Sequence, residues 1–164
     1  MAATIYVNMG DDAKGECQET NHTDWIEAIS CTHAIKQPKS TTRHIAGGTA
    51  SEADHSDFQF TKHIDKASAN LYSLVCNGTH LAKVTIDFVK PIGGKPTKYM
   101  VHEFKNVVIT GVQLDANALG EANPTETVSF SYDNAAWTYT QVGADGKSKG
   151  NVASNWSRAT GVSA

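Results

Sequence analysis

The sequence predicts a mainly β protein with one α-helix, and three observations support this fold class. Apolar residues alternate with polar residues over most of the chain, in runs rich in β-branched and aromatic side chains. Turn-forming glycines and prolines separate these runs. Only one segment has apolar residues at helical spacing. A chain of 164 residues, 40% of them hydrophobic, can build a core, and we expect one domain over residues 1–164.

Six segments have the two-residue period that is typical of strands. They are TIYVNM (4–9), WIEAISCTHAI (25–35), FQFTKHI (58–64), VTIDF (84–88), KYMVHEFKNVVITGV (98–112) and TVSFSY (127–132). PIGGKP (91–96) lies between two of these strands and predicts a hairpin turn at Gly93 and Gly94. GADGKSKG (143–150) predicts a further turn-rich connection.

The aromatic residues near the C-terminal end break the simple alternation. Val128, Phe130 and Tyr132 are predicted to face the core, but Trp137 follows Tyr132 by five residues. A regular strand would place these two aromatics on opposite faces. A bulge or bend near residues 133–135 would restore both to one face. A strand that passes from one sheet to another would explain the spacing equally well.

The predicted helix lies in DKASANLYSLVCNG (65–78) and covers about residues 69–77. Ser68 is the predicted N-cap, and Leu71, Leu74 and Val75 supply an apolar face. Gly78 fits the left-handed position that ends a helix. We expect the helix to seal one end or face of a β-barrel or sandwich. Cys76 lies beside the apolar positions and is predicted to be buried.

A long segment with little apolar content, PKSTTRHIAGGTASEAD (38–54), is predicted to be an extended loop. Loops of this length in a compact domain are uncommon and are usually functional or mobile. The segment is either a surface loop or an arm that orders against a partner. The candidate contact residues of such an arm are Ser40, Thr41, Thr42, Arg43, His44 and Ile45.

Composition excludes several classes of function. A net charge of −3 argues against nucleic acid or an anionic membrane as the main partner. The three cysteines, Cys17, Cys31 and Cys76, are odd in number and widely spaced, so no disulfide framework is expected. We find no signal-peptide pattern and no apolar run of membrane-spanning length. The expected product is a soluble protein made in the cytoplasm, without a cofactor.

The segment HSDFQFTKHID (55–65) contains two His-x-Asp pairs, His55/Asp57 and His63/Asp65, that suggest a metal or acid–base site. At about 3.3 Å per residue a straight strand would hold the pairs roughly 26 Å apart. Each pair alone provides too few ligands for a typical zinc site. The polar residues share odd numbering, so we interpret them as one water-facing row of a strand. Two alternatives stay open: a hydrolase or metal-dependent enzyme that uses these residues, and a monomeric β-sandwich binding module.

Several phrases in a fixed order resemble a known family over about residues 4–156. They are HTDWIEAISCTHAIKQP, FQFTKHIDKASANLYSLVCNG, VTIDF, PTETVSFSYDNAAWTYTQ and GKSKGNVASNW. Together they are similar to the haemolysin-coregulated protein (Hcp) family, the tube subunit of bacterial type VI secretion systems. Ala69 departs from the family pattern, which often has proline after the capping serine.

The resemblance implies a compact β-barrel of two sheets with one flanking helix, similar to phage tail-tube proteins. It also implies a structural role without catalysis: hexameric rings that stack into a hollow secreted tube and carry effectors. The implied partners are a sheath, a VgrG-type spike and effector proteins. A lumen that passes cargo should be polar, and the candidate lumen-facing residues are Ser30, Thr32, Gln59, Thr61 and His63.

Overall fold

The computed structural model describes residues 3–38, 52–120 and 123–163. These ranges contain nine strands, one α-helix and a 3-10 turn at Gly10–Asp12. In chain order the elements are β1 (Thr4–Asn8), β2 (Ile26–Thr32), β3 (Ile35–Lys36), β4 (Asp54–His55), β5 (Phe58–His63), α1 (Ser68–Asn77), β6 (His80–Ile92), β7 (Lys95–Asp115), β8 (Thr125–Val142) and β9 (Ser148–Ser157). The prediction of a mainly β fold with one helix is confirmed.

Six antiparallel strands close into a barrel in the order β5-β2-β1-β6-β7-β8, because β5 also pairs with β8. Strand β9 lies outside the barrel and pairs with the second half of β8, from Asn134 to Val142. Strands β3 and β4 form a separate two-stranded ribbon. The closed sheet leaves few free edges, which limits unwanted pairing with other chains.

The barrel interior is filled by the inward rows of its strands and capped by α1. Phe58, Phe104, Phe130 and Tyr132 pack against one another with ring centroids about 5 Å apart. Leu71 of the helix is fully buried against this core. Val128, Phe130 and Tyr132 are all buried, so the predicted inward row of β8 is confirmed.

The helix was predicted correctly in extent but not in its N-cap. The residue before α1 is Ala67, and the Ser68 hydroxyl makes no capping bond. The Asp65 carboxylate accepts the Ala67 backbone N–H at 2.9 Å instead. At the other end Gly78 has φ 61°, as expected, and its N–H bonds back to the helix. Cys76 is exposed, so its predicted burial was wrong.

Strand β2 does not alternate regularly, contrary to the prediction. Its pairing with β5 shifts register between Ala28 and Ser30. Ala28 lies inside the barrel, Ile29 is 52% exposed, and Cys31 packs partly against the core. The extra residue of the bulge at Ile29 thus reverses which row faces the core.

Strands β7 and β8 bend together where the aromatic spacing changes. Asn106, with φ 51°, lies opposite Asp133, and the flanking pairs keep the same register. Tyr132 and Ala135 are both buried although they are three residues apart. Strand β8 also changes its second partner here, from β5 to β9. The bend is therefore confirmed, whereas the passage to another sheet was wrong, because β8 changes its neighbour within one seven-stranded sheet.

The turn at Gly93 and Gly94 is confirmed, with φ 57° and 78°, which suits the two-residue hairpin between β6 and β7. Strand β9 begins inside the segment predicted to be a connection. It is an edge strand whose residues 148–154 are all exposed, so it has no apolar period by which to be recognised.

Candidate functional surface of the barrel

Four neighbouring strands carry polar side chains on the water-facing side of the barrel wall. Three ranks cross these strands in register. The first rank is Thr32, Gln59, Ser129 and Gly111; the second is Ser30, Thr61, Thr127 and Gln113; the third, on three strands only, is His63, Thr125 and Asp115. We call these eleven residues the polar face. No member is fully buried.

The five residues predicted to face a lumen all belong to the polar face. Ser30 lies opposite Thr61, and Thr32 lies opposite Gln59. Thr61 and Thr127 share a hydrogen bond between hydroxyl oxygens 3.3 Å apart. The contributions of β7 and β8 were missed because only strand pairing reveals them, although the outward position of Ser129 was visible in its strand.

The predicted polar row from residue 55 to residue 65 is interrupted. His55 lies in β4, is 8% exposed and bonds to the Tyr132 hydroxyl. The Asp57 carboxylate accepts a hydrogen bond from the Thr110 hydroxyl at 2.6 Å. The two-residue period places Ile64 in the same row as Phe58 and Phe60, but Ile64 is 49% exposed because β5 ends at His63. The row therefore extends only over residues 59–63.

A buried ion pair lies directly beneath the polar face. The Lys62 side chain is fully buried, and its ammonium donates to the Asp65 carboxylate at 2.7 Å and to the Ser68 hydroxyl at 3.1 Å. It also lies 3.1 Å from the Glu126 carboxylate, which is 1% exposed. These contacts join β5, β8 and the start of α1. The polar face is thus fixed from below by charged groups with several partners each.

The Glu126 carboxylate is held in its ionised form. Burial raises its pKa, but hydrogen bonds from Ser68, Tyr72 and Lys62 outweigh burial, and the net pKa lies below its usual value. The Ser68 and Tyr72 hydroxyls donate at 2.7 and 2.8 Å. The capping role predicted for Ser68 is therefore replaced by a role in this network.

A second buried network lies at the other end of β5. The Tyr132 hydroxyl is 2.7 Å from Nδ1 of His55 and 2.8 Å from Nε2 of His33. Burial is the main reason that the pKa values of both imidazoles are lowered. Burial also raises the pKa of Tyr132 to about 12, so its hydroxyl keeps its proton. Two residues far apart in sequence thus meet at one tyrosine.

A third cluster joins the segment before β2 to β6. His22 bonds through Nδ1 to Glu19 and through Nε2 to Asp87, the latter at 2.9 Å. Lys98 lies 3.2 Å from the same Asp87 carboxylate. Tyr6 stacks on the His22 ring with centroids 4.2 Å apart. The cluster holds this segment to the barrel wall.

The predicted inter-subunit contacts, Ser40, Thr41, Thr42, Arg43, His44 and Ile45, lie outside the described residues. The ends of their segment are described: Lys36 pairs with Asp54, and Ile35 pairs with His55. Within residues 3–38, 52–120 and 123–163, no three His, Cys, Asp or Glu side chains are grouped to hold a metal ion. In the same ranges no helix has the length and hydropathy to span a membrane.

Comparison with known families decides the classification. The family model described as "Type VI secretion system effector, Hcp" matches residues 6–139, which is most of the chain. The chain belongs to the Hcp family. No curated protein matches the sequence.

Solved structures of Hcp-family proteins share the fold of this chain. A structure described as a type six secretion system protein superposes with a TM-score of 0.91 at 23% identity, covering 99% of this chain and 100% of that one. Hcp1 from Salmonella typhimurium gives 0.81 at 22% identity, with both chains covered completely. A type VI secretion system effector from Yersinia pestis gives 0.73 at 25% identity, covering 93% and 98%.

Membership of the Hcp family identifies the broad function of the chain. It is a tube subunit of a type VI secretion system, as the resemblance implied. The family is one of structural tube proteins that are secreted. The solved structures extend the likeness beyond residue 139, so β9 is part of the shared fold.

Proposed function

We propose that the Hcp-family chain acts as one domain that assembles into a homo-hexameric ring, and that the rings stack into a hollow tube whose lumen is lined by the polar face. A closed ring needs a contact between two different surfaces of the same subunit. The subunit would be made in the cytoplasm and then secreted by the apparatus, together with a spike and effectors inside a sheath.

The observation that supports this proposal is the composition of the polar face. Its three ranks hold hydroxyl and amide side chains at most positions, with His63 and Asp115 at one edge. Such a surface stays hydrated and presents no large apolar patch to which passing cargo would adhere. The buried ion pair beneath joins β5 to β8, two of the strands that carry the face.

The ring itself is tested by measuring mass. Six chains of 17.6 kDa would give a particle of roughly 100 kDa in size-exclusion chromatography with light scattering. A particle with the mass of one chain at all concentrations would contradict the proposal. Electron microscopy of concentrated protein then shows whether rings stack end to end.

The lining is tested by cysteine labelling. Thr32 and Thr61 are replaced singly by Cys in a chain that lacks its three native cysteines, and the control restores only the exposed Cys76 of α1. In the assembled ring a small maleimide should label all three sites, but a maleimide larger than the lumen should label only Cys76. If the large maleimide labels the cysteines introduced at positions 32 and 61 in the ring as fully as it labels Cys76, the polar face does not line the lumen.

We further propose that residues 40–45 contact a neighbouring subunit or the next ring. The support is the β3–β4 ribbon, whose two strands precede and follow the segment in the chain. Deletion of residues 40–50 should weaken ring formation or stacking. If the mass and the stacking are unchanged, the segment makes no such contact.

We infer that the chain works without catalysis, metal or cofactor. In the first His-x-Asp pair, His55 is hydrogen-bonded to the Tyr132 hydroxyl. In the second pair, Asp65 forms an ion pair with Lys62. The His63 side chain lies on the polar face, and its backbone carbonyl accepts a hydrogen bond from Lys62. Metal analysis of the purified chain tests this inference, because a stoichiometric ion would favour an enzyme instead.

A further inference from the structure

The two ends of segment 39–51 are fastened to the barrel through one buried side chain. His33 precedes β3 on the first end, and His55 lies in β4 on the second end. Both imidazoles bond to the hydroxyl of Tyr132, which is 1% exposed in β8. The ends are also joined to each other, because the Ser56 N–H donates to the Ala34 carbonyl at 2.9 Å.

The pair of hydrogen bonds at Tyr132 requires that at least one of the two imidazoles is neutral. A tyrosine hydroxyl has one hydrogen to donate, so it donates to one imidazole nitrogen and accepts an N–H from the other imidazole. The nitrogen that accepts must be unprotonated. If it gains a proton, two N–H groups face one oxygen and the hydroxyl hydrogen loses its acceptor.

The surroundings oppose a positive charge at this point. The Arg158 guanidinium lies 5.4 Å from the centre of the Tyr132 ring and donates to the Tyr132 carbonyl at 2.8 Å. After burial, the charge of Arg158 is the next cause that lowers the pKa of His55. His102 of β7 is a further imidazole near His33, and burial with the charge of His33 lowers its pKa to about 4.

Two carboxylates act in the opposite direction. Asp54, beside His55 in β4, raises the pKa of that imidazole, but by less than burial lowers it. Asp57 is close enough to Tyr132 to raise the pKa of its hydroxyl. The Asp57 carboxylate is already occupied by the Thr110 hydroxyl. Neither acid is bonded to the imidazole nitrogens that meet at Tyr132.

We propose that His33, Tyr132 and His55 form a proton-operated latch that holds both ends of segment 39–51 on the barrel at neutral pH and releases them in acid. The latch needs no partner chain and acts within one subunit. Release would change how residues 40–45 are presented to a neighbour, and only that consequence rests on the proposed function.

Hydrogen exchange of the intact chain tests the latch directly. Protection of residues 33–36 and 54–57 is measured from pH 7.5 to pH 5 and corrected for the intrinsic pH dependence of exchange. Strand β6 serves as the internal reference for global stability. We expect the two ends to lose protection through local opening, by about tenfold per pH unit for each proton bound. Strand β6 exchanges through global opening and should stay better protected than the ends at every pH, although it also weakens as the unfolded chain binds a proton at His102.

Two variants and a control separate the latch from general acid unfolding. In the double variant His33→Gln and His55→Gln the side chains still hydrogen-bond but cannot be protonated in this range, so protection of the ends should not depend on pH. Tyr132→Phe should leave both ends weakly protected already at pH 7.5. His80→Gln, at an exposed histidine bonded to Asn106, should behave as the unmodified chain.

The proposal is overturned if the ends of the unmodified chain exchange at the same rate as β6 at every pH, because they would then open only by global unfolding. It is equally overturned if the double glutamine variant keeps the full pH response. Both readouts are independent of ring formation, so they decide the latch even if light scattering shows a monomer. If rings form and the latch fails, the proposed function still stands.

Discussion

Replacing Lys62 by methionine is the sharpest test of the network beneath the polar face. Methionine keeps the length of the buried side chain but removes the ammonium that contacts Asp65, Ser68 and Glu126. Glu126 would then be a buried carboxylate without a cation. Breaking a buried pair in this way costs about 3–5 kcal/mol of unfolding free energy.

The expected loss lies near the middle of that range, because two effects act in opposite directions. Lys62 Nζ also donates to the His63 carbonyl at 2.9 Å, so three acceptors lose a donor and Glu126 loses its cation. Glu126 keeps the Ser68 and Tyr72 hydroxyls, which limits the penalty. We therefore expect about 4 kcal/mol rather than a complete loss of the fold.

Equilibrium unfolding in urea, followed by fluorescence, gives the measurement. The control is Lys83→Met, because the Lys83–Glu103 pair is 49% and 37% exposed and should contribute less than about 1 kcal/mol. The double variant Lys62→Met with Glu126→Gln removes the uncompensated charge and should recover part of the loss. If Lys62→Met costs no more than Lys83→Met, the buried pair does not fasten β5 to β8.

Three further predictions concern the pH dependence of stability, close packing at Gly15, and the turn between β6 and β7. The pKa of His102 is lowered to about 4 by burial, so the unfolded chain binds this proton first, near pH 6.5. The unfolding free energy should fall by about 2 kcal/mol between pH 6.5 and pH 4, a value discounted for the partial exposure of His102. In the variant His102→Gln the unfolding free energy, measured with urea at each pH, should depend less on pH in that window. Gly15→Ala should lower the melting temperature by several degrees, because the added Cβ would lie 2.3 Å from the Trp25 carbonyl oxygen. Gly94→Ala meets no atom but requires φ 78°, so it should cost only about 1 kcal/mol by the same assay.

Much of the fold follows from period alone, and the misses have physical causes. The inward row of β8, the helix and the Gly93–Gly94 turn are each specified by residues close in sequence. The bulge at Ile29 is not, because it depends on how β2 pairs with β5. Strand β9 is stabilised by its pairing with β8 rather than by burial of its own apolar row.

The polar face could be predicted only in part for the same reason. The sequence places Gln59, Thr61 and His63 in one row, because a strand presents every second residue to the same side. It does not reveal that this row lies between those of β2 and β8. The interruption at His55 was hidden too, since residues 56 and 57 turn the chain out of the ribbon before β5 begins.

The most informative signal that sequence reasoning left unused is a polar residue on an inward row. Lys62 shares its row with Phe58 and Phe60, and Glu126 shares its row with Val128 and Phe130. A buried charge must find an opposite charge, because an unpaired one is too costly. Lys62 and Glu126 each need an oppositely charged partner among the other inward polar residues. The structure shows that they contact each other. That pairing agrees with the position of β5 beside β8, which is the contact that closes the barrel.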